Sequence, residues 1–202
     1  MVPDSWAPFA GLTDPDFEEV HAPMWDTRTY VDNVTQNLKF FTSTGQAGTT
    51  DMANGVFPLT EPYLLKAIGV LFMSPPWVDD AAAAGALLPG RANDIWQLAT
   101  KGWLDLGLGK TGYGPFPLWK LSPGAGLHGM MTGSGGEAAN LVHSILQLGT
   151  PNTDGLFKLQ KGMILPPGTN LPVEIKWPAA VDTATANIDI RLYFDGILAK
   201  KI

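Results

Sequence analysis

Near the C-terminus, hydrophobic and polar residues alternate. Ile188, Ile190, Leu192 and Phe194 fall on one side and Asp189, Arg191 and Tyr193 on the other, which predicts a strand over 187–199 with one face on a core. Residues 171–177 repeat the pattern. Residues 63–73 form an almost unbroken apolar run, as in a strand covered on both faces. Shorter apolar runs predict strands over 35–42, 102–108, 116–121, 156–160 and 163–165. Turn clusters such as Gly114-Pro115, Ser122-Pro123-Gly124 and Pro166-Pro167-Gly168 set several of their boundaries. Residues 43–54 read as a loop and the glycine-rich 124–136 as irregular chain, while 141–148 fit a strand or a helix.

Two places carry helix signals. Asp14 can cap a short helix over 14–20 with Pro15 in its first position, and Ala22-Pro23 then ends it. Asp79 and Asp80 precede Ala81 to Ala84, and Ile95, Leu98 and Ala99 are spaced as on one helix face. A helical insertion is therefore expected over about 78–100. Eight to nine strands separated by turns predict a mainly β fold, an antiparallel β-sandwich of jelly-roll type with that short insertion. Without the insertion and the N-terminal stretch, too little chain remains for two such sandwiches.

Composition adds exclusions. With 45% hydrophobic and 16% charged residues among 202, there is apolar material for one core, and 23 glycines with 17 prolines argue against a helical bundle. The absence of cysteine excludes disulfides, a thiol nucleophile and thiolate metal sites. No basic, apolar leader opens the sequence and no run approaches the roughly 20 apolar residues of a membrane span, so a soluble chain is expected.

The formal net charge is −6, and its placement is uneven. Residues 1–34 hold Asp4, Asp14, Asp16, Glu18, Glu19, Asp26 and Asp32 against Arg28 alone, whereas the rest of the chain is balanced. The same stretch carries Trp6, Phe9, Phe17, Trp25 and Tyr30, large apolar groups that a solvated tail would usually lack. This divides the chain into an acidic aromatic N-terminal arm, 1–34, and a jelly-roll domain, 35–202. The arm is expected to dock on its own domain or on a neighbouring subunit through those five aromatics. Its sign is wrong for holding nucleic acid.

Chemical motifs are incomplete. Gly124-Ala125-Gly126-Leu127-His128-Gly129 has the glycine spacing of a dinucleotide-binding loop, but the glycine-rich sequence after it cannot open the required helix. Gly109-Lys110-Thr111 resembles the end of a phosphate-binding loop, yet Leu104 stands where the first glycine should be. Ser134 lies outside a nucleophile elbow, and His21, His128 and His143 have no assignable ligand or base partners. No catalytic residue, cofactor site or metal site is assigned, and an enzyme is not expected. Trp77, Trp96, Trp103, Trp119 and Trp177 would stack on sugars if exposed, but tryptophans in a small sandwich are commonly core residues.

Three stretches resemble a known family. Phe40-Phe41 with Thr49-Thr50-Asp51-Met52-Ala53-Asn54-Gly55-Val56-Phe57-Pro58 and the following run from Tyr63 to Val70 form the first two. The third joins Met163-Ile164-Leu165-Pro166-Pro167-Gly168-Thr169-Asn170-Leu171-Pro172-Val173 to Ile190-Arg191-Leu192-Tyr193-Phe194-Asp195-Gly196-Ile197-Leu198, where an aspartate-glycine turn is expected. Together they are similar to the jelly-roll major capsid proteins of tailless icosahedral bacteriophages, over about a third of the chain. Members commonly carry two jelly rolls; this chain has the length for one.

The resemblance implies a viral structural protein that self-assembles into an icosahedral shell, made in the host cytoplasm and located in the virion. Its partners would be copies of itself and other capsid proteins, with an internal membrane allowed and no cofactor. The alternative expectation is a carbohydrate- or receptor-binding β-sandwich module, such as a virion spike or vertex protein.

Overall fold

The computed structural model describes residues 17–42, 61–73, 94–108, 111–121, 128–132, 143–147, 156–168, 171–183 and 187–201. Mainly β, it builds two antiparallel sheets around one core. The first sheet contains β1 (Phe17–His21), β2 (Met24–Tyr30), β4 (Tyr63–Met73), β9 (Phe157–Leu165) and β11 (Ile188–Lys201). The second contains β3 (Asn37–Phe40), β5 (Trp103–Leu108), β6 (Thr111–Pro117) and β10 (Val173–Lys176). Two further strands, β7 (His128–Thr132) and β8 (His143–Gln147), pair with each other and, among the described residues, with no other strand. Helix α1 spans 94–101, and α2 is the single turn Leu118–Leu121.

Strand β11 organises the first sheet. Its inward residues Ile190, Leu192 and Phe194 stand opposite Phe72, Val70 and Ile68 of β4, all buried. Along its other edge β1 and β2 follow one unbroken register, from Phe17 opposite Lys201 to Tyr30 opposite Ile188, interrupted only at Ala22-Pro23. The order across this sheet is β1/β2, β11, β4, β9, and across the second β3, β10, β5, β6. Phe40, Leu104, Leu106, Val173 and Ile175 point from the second sheet into the same core, as two facing layers require.

Several sequence expectations need correction. Residues 17–20 are strand: the Asp14-Pro15 signal acts over one turn, whereas pairing with β11 engages the whole segment, and 14–16 lie outside the described residues. Residues 17–30, read as an arm, form the edge of the first sheet. The run 116–121 divides at Pro117, after which α2 buries Leu118 and Leu121. The strand expected over 35–42 is shorter, because Val34 and Thr35 both donate backbone N–H to the Val31 carbonyl in a turn.

The two short strands over 156–165 are one strand with a register jump. Leu65 faces Met163 and Ala67 faces Lys158, so three extra β9 residues are accommodated beside Gly162. Residues 128–132 of the stretch expected to be irregular are β7, and the ambiguous 141–148 contains β8. Asp195-Gly196 is no turn; it sits inside β11 opposite a bulge at Lys66. Of the expected helical insertion, 94–100 is helix and 78–93 lies outside the described residues.

Candidate functional site

One end of the sandwich gathers most of the exposed large hydrophobic side chains among the described residues. Four connections leave it: the turn after β2, the segment ending in α1, the segment beginning with α2, and the loop after β10. They are tied together at Trp177. Its indole N–H donates to the Leu98 carbonyl of α1 at 3.0 Å, its backbone N–H donates to Gln36 O at 2.9 Å, and its ring meets Tyr30 edge-on at 4.9 Å. Gly102 lies at the meeting point of α1 and α2, where a Cβ would stand 2.6 Å from both Leu118 and Trp177.

Burying one side of each element leaves the other side in solvent. Ile95, Leu98 and Ala99 fill the inner face of α1, so Trp96 is turned outward and is 50% exposed. Leu118 and Leu121 do the same for α2 and leave Trp119 48% exposed, with the Lys120 ammonium 5.2 Å from its ring. Val31 and Val34 are exposed on the neighbouring turn. These are four of the five exposed large hydrophobics among the described residues, the other being Tyr113.

The aromatics expected to act as a docking arm have different placements. Trp6 and Phe9 lie outside the described residues, and Phe17 begins β1. Trp25 stacks beneath the Arg191 guanidinium at 4.0 Å on the outside of its own sheet. Tyr30 is fully buried in the core, so of the two expected placements it takes the one within its own sandwich. Its hydroxyl donates to Val181 O at 3.0 Å and accepts the Val181 N–H at 2.5 Å; burial pushes its pKa up, partly opposed by the Val181 backbone bond.

Part of the acidity of 1–34 is structural. Asp26 is buried, pairs with Arg28 at 3.0 Å and accepts the Phe41 N–H at 2.6 Å, holding Phe41 at φ 55°. Asp32 accepts both the N–H and the hydroxyl of Thr183.

A second feature crosses the outward face of the other sheet. Trp103 and Asp105 alternate outward along β5, as Glu174 and Lys176 do along β10. Lys176 donates to Asp105 at 2.9 Å and to Glu174 at 3.3 Å; Lys39 lies 3.6 Å from Glu174, and the Trp103 indole donates to Asp105 at 3.3 Å. The hydrogen bond that Lys176 donates to Asp105 is the main reason its pKa is raised.

Of the histidines, His21 contacts Asp195 at 2.6 Å in an exposed pair. His128 and His143 stand at opposite ends of the β7–β8 ribbon. The glycine spacing at 124–129 runs into strand β7, the wrong element for dinucleotide binding, and Thr111 opens β6. Ser134, Trp77, Gly109 and Lys110 lie outside the described residues.

The outward position of Trp96 was available from its offset by one from Ile95. That of Trp119 was hidden because its segment reads as strand, and the charged ladder was hidden because it joins strands far apart in sequence. Comparison with known protein families, curated proteins and solved structures finds no match.

Proposed function

We propose that this chain is a capsid subunit built on a single jelly roll, which assembles with copies of itself into a closed icosahedral shell. The strand order carries the reading. With β1/β2 taken as one strand and the β7–β8 ribbon set aside, eight successive strands lie as 1-8-3-6 in one sheet and 2-7-4-5 in the other. Strands 1 and 8, 2 and 7, 3 and 6, and 4 and 5 are neighbours, as in a long antiparallel ribbon wound into two layers. That order supports the jelly-roll reading, a fold used in viral capsid and lectin domains.

The capsid reading is supported by the resemblance of 40–41, 49–58, 63–70, 163–173 and 190–198 to phage capsid proteins and by the exposed end bearing Trp96 and Trp119. Half-exposed tryptophans are favoured anchors where copies pack together. Strand-to-strand growth is unfavourable by contrast. Edge strand β6 contains Pro115 and Pro117, and β9 carries the exposed Lys158 and Lys161 beside its register jump. Contacts through loops and helices suit a shell of fixed geometry.

Light scattering of the purified protein, followed by negative-stain imaging of the same fraction, tests this. Closed particles or symmetric rings are expected. A 21.6 kDa monomer across a wide concentration range would overturn the proposal.

A further inference from the structure

We propose that the outward face of the second sheet carries a binding site for a neutral saccharide, in a trough between β5, β6 and the start of β10. The trough has a volume of about 380 Å³ and is lined by Asp105, Gly107, Gly112, Tyr113, Pro172 and Lys176, among others. That size lies within the range of small-molecule sites.

Its floor exists because the sequence withholds side chains. Gly107 and Gly112 stand opposite each other on β5 and β6, and a Cβ on Gly112 would meet nothing within 4 Å. Backbone therefore lies open at Gly112, while Pro172 walls the Gly107 side, 3.5 Å from where a Cβ there would stand. Peptide addition along that edge is disfavoured by Pro115 and Pro117, which lack the N–H a pairing strand requires.

The polar groups select the ligand class. Asp105 uses Oδ2 for Lys176 and Trp103, while its Oδ1 is directed over Gly114, 3.2 Å from where a Cβ there would stand. That oxygen is an acceptor for a ligand hydroxyl. Lys176 spends two contacts on Asp105 and Glu174 and has a third N–H to donate. Two carboxylates are balanced by Lys176 and Lys39, so a strongly ionic ligand gains little from the local charge. The ammonium between Asp105 and Glu174 also opposes a metal cation. Neighbouring hydroxyls, each both donor and acceptor, match this alternation, and Pro172 supplies apolar surface for the sugar's C–H groups.

The site is independent of assembly, and its test leaves the capsid proposal untouched. Saturation-transfer NMR on the full chain with lactose, maltotriose and chitotriose, and with sialyllactose as an anionic control, should detect at least one neutral probe at about millimolar affinity. Gly112→Leu, which fills the trough from an open position, should weaken that signal at least tenfold while circular dichroism is unchanged. Asp105→Asn should weaken it similarly and serves if the leucine variant fails to fold. No signal from any neutral probe, binding of sialyllactose alone, or undiminished binding in a folded variant would each overturn the site.

Discussion

At the scale of single residues, the C-terminal strand depends on Gly196 and Tyr63. A Cβ at position 196 would collide with the Leu64 carbonyl oxygen and lie 2.5 Å from the Tyr63 ring, neither of which can retreat from the sheet. Gly196→Ala should therefore cost about 3 kcal/mol, the upper part of the range for overpacking, measured by urea denaturation. The Tyr63 hydroxyl donates to Ala22 O at 3.0 Å, at the break between β1 and β2, and the residue is fully buried. Tyr63→Phe should cost about 1–2 kcal/mol by leaving that carbonyl without its donor. Burial first, then the charge of Asp195, raises the Tyr63 pKa far above 10, and burial raises that of Tyr30. The unfolded chain loses these phenolic protons near pH 10 while the folded chain keeps them, so unfolding releases protons. Stability from these groups is complete below pH 10 and is lost above it, by about 1.4 kcal/mol per pH unit for Tyr63 alone. In an alkaline titration the tyrosinate bands of Tyr30 and Tyr63 should emerge together with loss of β circular dichroism; their appearance in the folded protein would contradict this burial.

At the scale of elements, residues 17–30 change what truncation should do. They supply one edge of the first sheet, the Asp26 anchor for Phe41, and Tyr30 in the core. Deleting 1–34 should abolish the cooperative thermal transition, whereas deleting 1–16 spares every described strand and should keep it. If both truncations melt like the full chain, the pairing of β1 and β2 with β11 is wrong. The acidic aromatic composition of this stretch was legible in the sequence, but not whether it paired at home or away. Strands β4, β5, β10 and β11 were legible because their apolar runs or alternation record burial directly. Segment β1 has the opposite character, two exposed glutamates beside a capping signal, and only the partner strand 180 residues away makes it β. Likewise the apolar run through Leu121 could not reveal that Leu118 and Leu121 reach the core from a helical turn. The mainly β, two-sheet architecture was legible despite these errors, although eleven strands are described where eight to nine were expected, and strand order depends on pairings between distant segments that no local pattern encodes.

At the scale of the whole molecule, the two ends and faces of the sandwich divide the surface. The end bearing Trp96 and Trp119 is rigidly held, because α1 and α2 meet at Gly102 and Trp177 and have little freedom to turn their tryptophans inward. The glycine-floored trough lies on the outside of the second sheet toward its opposite end, beside Gly107 and Pro172. A subunit packed through the first region would leave the second uncovered by that contact. Replacing Trp96 and Trp119 with glutamate removes apolar surface and adds like charge to a chain that already carries −6. Both side chains are half in solvent, so the monomer fold should hold: each change should cost about 0.5 kcal/mol or less of stability. Assembly should respond far more, since burying the new charges opposes contact and a tryptophan anchor is worth about 2 kcal/mol or more. The Trp96→Glu, Trp119→Glu double variant should require at least about thirtyfold more protein to form particles in light scattering, with the same melting temperature at low concentration. Particles forming at the concentration of the unmodified chain would remove this end from the assembly contact and direct attention to the sheet faces instead.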